Sequence, residues 1–225
     1  MSGRDFPYRD RRHAGRVLAG LLQHLRGRPG LVVLALPRGG VAVGFEVAHA
    51  LAAPLDAFIV RKLGYPGHEE YAMGAIATGG VQVLNPDTAS VPADVVARVA
   101  ARERIELERR ERLYRGESPP PALAGRTVVV VDDGLATGST MRAAVQAIRQ
   151  QRPAFVCVAV PVGATDTVGR LRAEADEVVC AATPADFRAV GLAYEQFPQA
   201  SDAEVRTLLE AARRERSPET SPSGV

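Results

Sequence analysis

Residues 128–140 read VVVVDDGLATGST and concentrate groups able to do chemistry within a few turns of chain. An apolar strand ending at Val131 delivers Asp132 and Asp133 to the mouth of a loop. Thr137, Gly138, Ser139 and Thr140 then offer consecutive N–H groups and three hydroxyls, at the positive end of a following helix dipole. Such a loop suits an anion. The aspartates do not, because a carboxylate beside a phosphate repels it strongly at a low effective dielectric. They suit hydroxyl groups or a divalent cation with hard oxygen ligands. A ligand with a phosphate at one end and a vicinal diol beside it, such as a ribose 5-phosphate, satisfies both halves. The plainer alternative is a helix-capping aspartate next to a solvated one.

A second loop, Pro37-Arg38-Gly39-Gly40, follows the apolar run LVVLAL (31–36). Its glycines let a ligand reach backbone N–H groups, and Arg38 adds a fork-shaped cation. Strand-to-helix loops also use glycine for steric reasons alone. Neither loop carries GxxxxGK[ST] or GxGxxG, which disfavours a nucleoside triphosphatase or a dinucleotide enzyme.

The elements that must hold these loops follow from periodicity. Ala14, Val17, Leu18, Leu21, Leu22 and Leu25 have helical spacing. Short apolar runs at 31–36, 55–60, 127–131, 154–162 and 176–182 read as buried strands, with helices over 41–52 and 141–151 and near 168–175. Residues 64–80, glycine-rich and irregular, read as a long loop, and VQVLN (81–85) as a short strand ended by Pro86. Ser90 is the expected N-cap of a helix over 91–114, with Glu106/Arg110, Glu108/Arg112 and Glu111/Arg115 spaced as i, i+4 pairs on a solvated face. Alternating strands and helices predict an α/β fold with a doubly wound parallel sheet.

The 28 basic and 26 acidic side chains leave a formal net charge of +2, and there is no tryptophan. These features point away from nucleic acid and from a membrane surface. No apolar run reaches the roughly 18 residues of a membrane span, so the expectation is a soluble, cytoplasmic protein. Cys157 and Cys180 lie in strand-like runs as small core residues, and the four histidines lack metal-ligand spacing.

VVVVDDGLATGST resembles the phosphoribosyl pyrophosphate (PRPP) binding motif of the type I phosphoribosyltransferases: an apolar strand, two acids, then a TG[GSK][ST] turn. The order of elements over roughly residues 30–200 agrees with it. The resemblance implies a Rossmann-like α/β fold with a flexible loop and a small C-terminal hood. One domain is expected over 1–216, with its core at about 30–182, the hood at about 183–200, an inserted helix at 91–114 and a disordered tail at 217–225.

The resemblance also implies roles. Ala136, Thr137, Gly138, Ser139 and Thr140 wrap the 5-phosphate. Asp132 and Asp133 bind the ribose hydroxyls and, mostly through substrate and water, Mg2+. Pro37, Arg38, Gly39 and Gly40 form the pyrophosphate loop, and Arg38 and Lys62 complete the catalytic set. Arg61 and Lys62 match an RK pair that the adenine phosphoribosyltransferases carry before their flexible loop; a strand terminus with solvated cations is the alternative. The segment 64–80 is then a mobile lid, with Glu69, Glu70 and His68 as proton-transfer candidates. Ala136 stands where hypoxanthine and guanine enzymes place an aspartate, which weakens a 6-oxopurine acceptor and leaves the adenine and orotate classes. In the hood, Phe187 or Tyr194 is expected to stack on the acceptor, and the backbone near Val190 and Gly191 to hydrogen-bond it. The implied activity is phosphoribosyl transfer from PRPP to a nitrogenous base with release of pyrophosphate. The rival is a PRPP or nucleotide sensor on the same fold, and a homodimer through the helix 91–114 stays open.

Overall fold

A computed structural model of the chain describes residues 6–85, 88 and 91–216. Helix α1 (Arg11–Leu21) precedes strand β1 (Val32–Ala35), helix α2 (Gly39–Leu51) and strand β2 (Leu55–Ala57). Strands β3 (Val60–Tyr65), β4 (His68–Ala77) and β5 (Val81–Leu84) lead to helix α3 (Ala93–Arg115). The second half alternates β6 (Thr127–Val131), α4 (Ser139–Gln150), β7 (Phe155–Val162), α5 (Thr165–Leu171) and β8 (Glu177–Ala182), and closes with α6 (Asp202–Arg216).

Five strands form a parallel sheet in the order β2-β1-β6-β7-β8. Strands buried on both faces need no polar alternation, which is why VVLA, TVVVV and FVCVAVPV are nearly all apolar. Val33, Ala35, Val129, Val131 and Cys157 pack on one face with residues of α1, α2 and α6. Val32, Leu34, Val128, Val130 and Val158 pack on the other with residues of α4 and α5. The chain leaves β1 toward β2 and leaves β6 toward β7, so the winding reverses between β1 and β6. Ligands of open α/β sheets bind at such a reversal, outside the strands' carboxyl ends.

The segment 64–80 is not an unpacked loop. Together with its flanks it forms an antiparallel sheet, β3-β4-β5, with Val60 opposite Ala77 and Ala77 opposite Val81. Pro66-Gly67 turns the β3–β4 hairpin, with Gly67 at a φ of 79° that an L side chain rarely adopts. Leu63, Met73 and Ile76 are buried in one core with Val96 and Ala100 of α3, while Ala77 is buried in the other with residues of α4.

The charged face of α3 also differs from expectation. Glu103 and Arg115 are buried. Glu103 accepts two hydrogen bonds from Arg61 of β3, at 2.9 and 2.6 Å. Arg115 pairs with Asp56 of β2 at 2.8 Å, with Glu111 at 3.2 Å, and donates to the Ala57 carbonyl. These pairs tie α3 to both sheets. Glu106–Arg110 forms as spaced, at 2.7 Å. Val96 and Leu107 are buried inside the chain, with Val99 and Leu113 packed against the same core. The expected N-cap Ser90, Pro86 and the tail 217–225 lie outside the described residues.

Candidate functional site

The loops after β1 and β6 meet at the sheet's reversal. The Leu36 N–H donates to the Val131 carbonyl at 2.9 Å, and the Pro37–Arg38 peptide that follows is cis. A Cβ added at Gly39 would lie 1.9 Å from Oδ2 of Asp133, and one at Gly40 would lie 2.9 Å from Cα of Asp132. Both glycines are therefore required by close approach to the acid pair. Arg38 leaves this contact in the direction of α6, its Nη1 3.9 Å from Asp202. Tyr114 of α3 donates to the same carboxylate at 2.6 Å.

Beyond the acids, the chain turns through Gly138, at a φ of 72°, into α4. Asp132, Ala136, Thr137, Gly138, Ser139, Thr140 and Val190 line one cavity of about 180 Å3. The hydroxyls of Thr137 and Ser139 lie 3.3 Å apart at its exposed edge. Thr167 of α5 supports the turn from below: its hydroxyl donates to the Ala136 carbonyl at 2.8 Å, and its methyl fills the space beside Gly138.

The two acids are held differently. Asp132 accepts the Asp133 N–H at 2.8 Å and borders the cavity. Burial first, and the neighbouring Asp133 carboxylate second, push its carboxyl well above the usual carboxylate range. Asp133 instead accepts from Nε of Arg11 at 2.8 Å, in a pair whose side chains are 11% and 16% exposed. Its own carbonyl accepts from Oη of Tyr194 at 2.6 Å.

Of the other cations, Lys62 and Ser139 border a second cavity of about 110 Å3, between the antiparallel sheet and α4. Lys62 thus shares Ser139 with the first cavity but borders a separate one. Arg61 does not join it, because its guanidinium is engaged by Glu103. His68, Glu69 and Glu70 open strand β4 rather than sitting in a loop.

The hood packs inward. Tyr194 is 7% exposed, stacks on Phe197 with centroids 4.9 Å apart, and leans on Tyr8, so its ring is not offered to an acceptor. Phe187 packs partly buried against the cluster of Tyr8, Ala14 and Ala193. Gly191 abuts Phe197, where an added Cβ would meet the ring at 3.1 Å. Of the four hood residues singled out, Val190 borders the cavity.

Residues that sequence reading passed over complete the surroundings. Arg11, Tyr8, Thr167 and Phe197 all brace the crevice. The run Arg9-Asp10-Arg11-Arg12 carried a signal for one of them, since Asp10 caps α1 by accepting the His13 N–H and so places a cation in the first helical turn. Among the described residues, no group of three or more His, Cys, Asp or Glu side chains is arranged to hold a metal ion. No helix among them is long and apolar enough to cross a membrane.

Comparison with known proteins gives a consistent picture. Residues 10–196 match the family description "Phosphoribosyl transferase domain". Two proteins of Mycobacterium tuberculosis strains, each named "Putative phosphoribosyl transferase", are 50% identical over 210 residues, or 92% of the chain. The chain spans 47% of the length of these curated relatives. The crystal structure of TT1426 from Thermus thermophilus superposes with a TM-score of 0.82 at 47% identity, covering 90% of this chain and 97% of that one.

Proposed function

We propose, from the premise that this chain belongs to the phosphoribosyltransferase family, that it transfers the 5-phosphoribosyl group of PRPP to a nitrogenous acceptor and releases pyrophosphate. One observation carries the reading: the glycine loop after β1 lies against the acid pair after β6, with the hydroxyl-rich turn next in line. That arrangement offers anion donors on two sides of a pair of carboxylates. It fits a sugar whose hydroxyls face the acids while phosphate groups occupy the loops.

The reaction breaks the bond from the anomeric carbon to a pyrophosphate oxygen and forms one from that carbon to the acceptor nitrogen. Pyrophosphate leaves with the electron pair, and a proton departs from the acceptor. Positive charge grows at carbon and negative charge on the leaving group, so positioning and electrostatic stabilisation dominate over covalent catalysis. Thr137, Ser139, Thr140 and the N–H groups at the start of α4 hold the 5-phosphate, with Lys62 at its edge. Arg38 and the Gly39–Gly40 backbone face the pyrophosphate, and Asp132 with Asp133 faces the ribose hydroxyls. Two adjacent carboxylates fit Mg2+ as an ion that takes most of its ligands from substrate and water. Bound in that way, it would neutralise charge building on pyrophosphate. Ala136, which neither gives nor takes a proton, argues against a 6-oxopurine acceptor.

A second reading, a PRPP sensor without turnover, draws on the engagement of Arg61 and Asp133 in internal ion pairs. Pyrophosphate release from PRPP and Mg2+ with a panel of purine and pyrimidine bases separates the two. Release with one base supports the transferase and names its acceptor. Tight PRPP binding without release on any base supports the sensor.

A further inference from the structure

The hydroxyl-rich turn that follows the acid pair is pinned from behind by α5. Leu135 is fixed through both of its backbone groups, its N–H donating to the Val162 carbonyl at 2.9 Å and its carbonyl accepting from Ala164 at 3.0 Å. One residue later, the Ala136 carbonyl accepts from the Thr167 hydroxyl at 2.8 Å. Thr167 is 3% exposed, and its hydroxyl oxygen in turn accepts from Nη2 of Arg170, one helical turn on, at 3.3 Å. With that oxygen facing a cation, its one proton is directed to Ala136. No residue of α5 borders the cavity of about 180 Å3 that Ala136 and Thr137 line, so Thr167 stands behind the turn.

The direction of that bond decides where the neighbouring donor points. In a trans peptide the C=O and the N–H lie on opposite sides of the chain, so an Ala136 carbonyl drawn to Thr167 turns the Thr137 N–H away from α5 and toward the cavity side. The reverse orientation would aim a carbonyl oxygen at a bound phosphate and withdraw a donor from it. The N–H groups of Thr137, Gly138, Ser139 and Thr140 have no hydrogen-bond acceptor among the described residues, as a turn kept ready for an anion requires. Threonine also serves by shape. A Cβ on Gly138 would lie 2.4 Å from the Thr167 methyl, so the methyl fills the space that the glycine leaves.

We propose that Thr167 is a positioning residue for the 5-phosphate of PRPP: holding the Ala136 carbonyl behind the turn, it keeps the Thr137 N–H aimed at the phosphate, and Arg170 sets the hydroxyl that does so. The proposal rests on the PRPP reading above and adds to it two residues that touch no ligand. Two features separate this role from ordinary packing. Valine has nearly the shape of threonine, so filling the space beside Gly138 does not by itself call for a hydroxyl. The effect is also confined to one end of the ligand, since the Gly39–Gly40 loop, which faces pyrophosphate in that reading, packs on the acid pair.

The test is calorimetry on the full chain with ribose 5-phosphate, with pyrophosphate and Mg2+, and with PRPP and Mg2+, each titrated separately. Thr167→Val, which keeps the shape and loses the hydroxyl, should weaken ribose 5-phosphate and PRPP alike by roughly tenfold and leave pyrophosphate within about twofold of wild type. Thr167→Ser, which restores the hydroxyl and drops the methyl, should recover most of that loss. Arg170→Met, at an exposed position, should weaken ribose 5-phosphate about threefold and add nothing on top of Thr167→Val, because its effect passes through the hydroxyl. Thermal midpoints of all variants separate folding from binding. Ribose 5-phosphate affinity within about twofold of wild type in folded Thr167→Val overturns the proposal. So does an equal loss for pyrophosphate, which marks a general loosening of the fold. A Thr167→Ser loss as large as that of Thr167→Val also overturns it, by assigning the effect to the methyl. If Thr167→Val does not fold, Arg170→Met decides: a loss for ribose 5-phosphate that spares pyrophosphate supports the proposal, and unchanged binding of both overturns it. A wild-type chain that binds neither ribose 5-phosphate nor PRPP defeats the parent reading, and the role of Thr167 with it.

Discussion

The crevice between β1 and β6 and the antiparallel sheet β3-β4-β5 are both rich in glycine and alanine, yet small residues do different work in each. At the crevice, Gly39 and Gly40 clear space for carboxylates that arrive from a distant strand. In the antiparallel sheet, Ala72, Gly74, Ala75 and Ala77 let strands and helices approach from both sides, and Arg61–Glu103 and Arg115–Asp56 lock the assembly to α3. Small residues expose chemistry in one region and permit packing in the other. A glycine-rich stretch is therefore not a loop by composition alone.

Substitutions that strike one region and spare the other sharpen this contrast. Arg115→Met leaves Asp56 and Glu111 without their buried guanidinium, and breaking such a pair costs about 3–5 kcal/mol. Urea unfolding should show that loss, while PRPP affinity of the folded fraction stays near wild type. Affinity falling in parallel with stability would mean that the two regions are one unit. Gly39→Val drives side-chain atoms into Asp133 and should weaken PRPP binding by the folded fraction, an effect that Arg115→Met lacks, beside an overpacking cost of about 1–3 kcal/mol in stability. Unchanged PRPP affinity would show that the glycine loop does not form the site.

A smaller effect of opposite sign is expected at Asp132. Its folded-state carboxyl is raised above the ordinary 3.8, so the native chain binds the extra proton and loses stability as pH rises above that value. Asp132→Asn removes the penalty and should raise stability at neutral pH by about 1 kcal/mol, while weakening PRPP. The gain should shrink as pH falls toward 4 and vanish below it, where the carboxyl is protonated in both states. Thermal melts across pH 4–8 measure it, and a variant less stable than wild type at neutral pH contradicts the assignment.

The parallel sheet and both crevice loops were legible because each is encoded locally. A continuous apolar run, a turn of small residues and a helical period suffice to place 31–51 and 127–150. Of the antiparallel sheet, β5 was legible in VQVLN, but β4 was not, because alanine and glycine give little hydrophobic alternation. The Pro66-Gly67 turn was the local signal for the β3–β4 hairpin. Helix α6 carries helical spacing at Val205, Leu208, Leu209 and Ala212, but its start runs on from the aromatic hood segment without a break in composition, which hid it. The charges of α3 read as a solvated face for want of any sequence sign that Arg61 and Asp56 would meet them. Tyr194 read as a stacking platform, yet its partners Tyr8 and Phe197 turn it inward. Arg11 lay in a polar stretch whose importance depends on contacts more than 100 residues away, with |i−j| of 122 to Asp133 and 187 to Pro198.

The most direct test of the central claim is a calorimetric titration of PRPP with Mg2+ into the wild-type chain, repeated with ribose 5-phosphate already present and with Thr137→Ala/Ser139→Ala. The account predicts one PRPP per chain, competed by ribose 5-phosphate and weakened at least tenfold when the two hydroxyls are removed, each being a hydrogen bond to a charged group of about 1.5–3 kcal/mol. Binding that ignores ribose 5-phosphate and survives the double change intact would place PRPP elsewhere and contradict the crevice as its site.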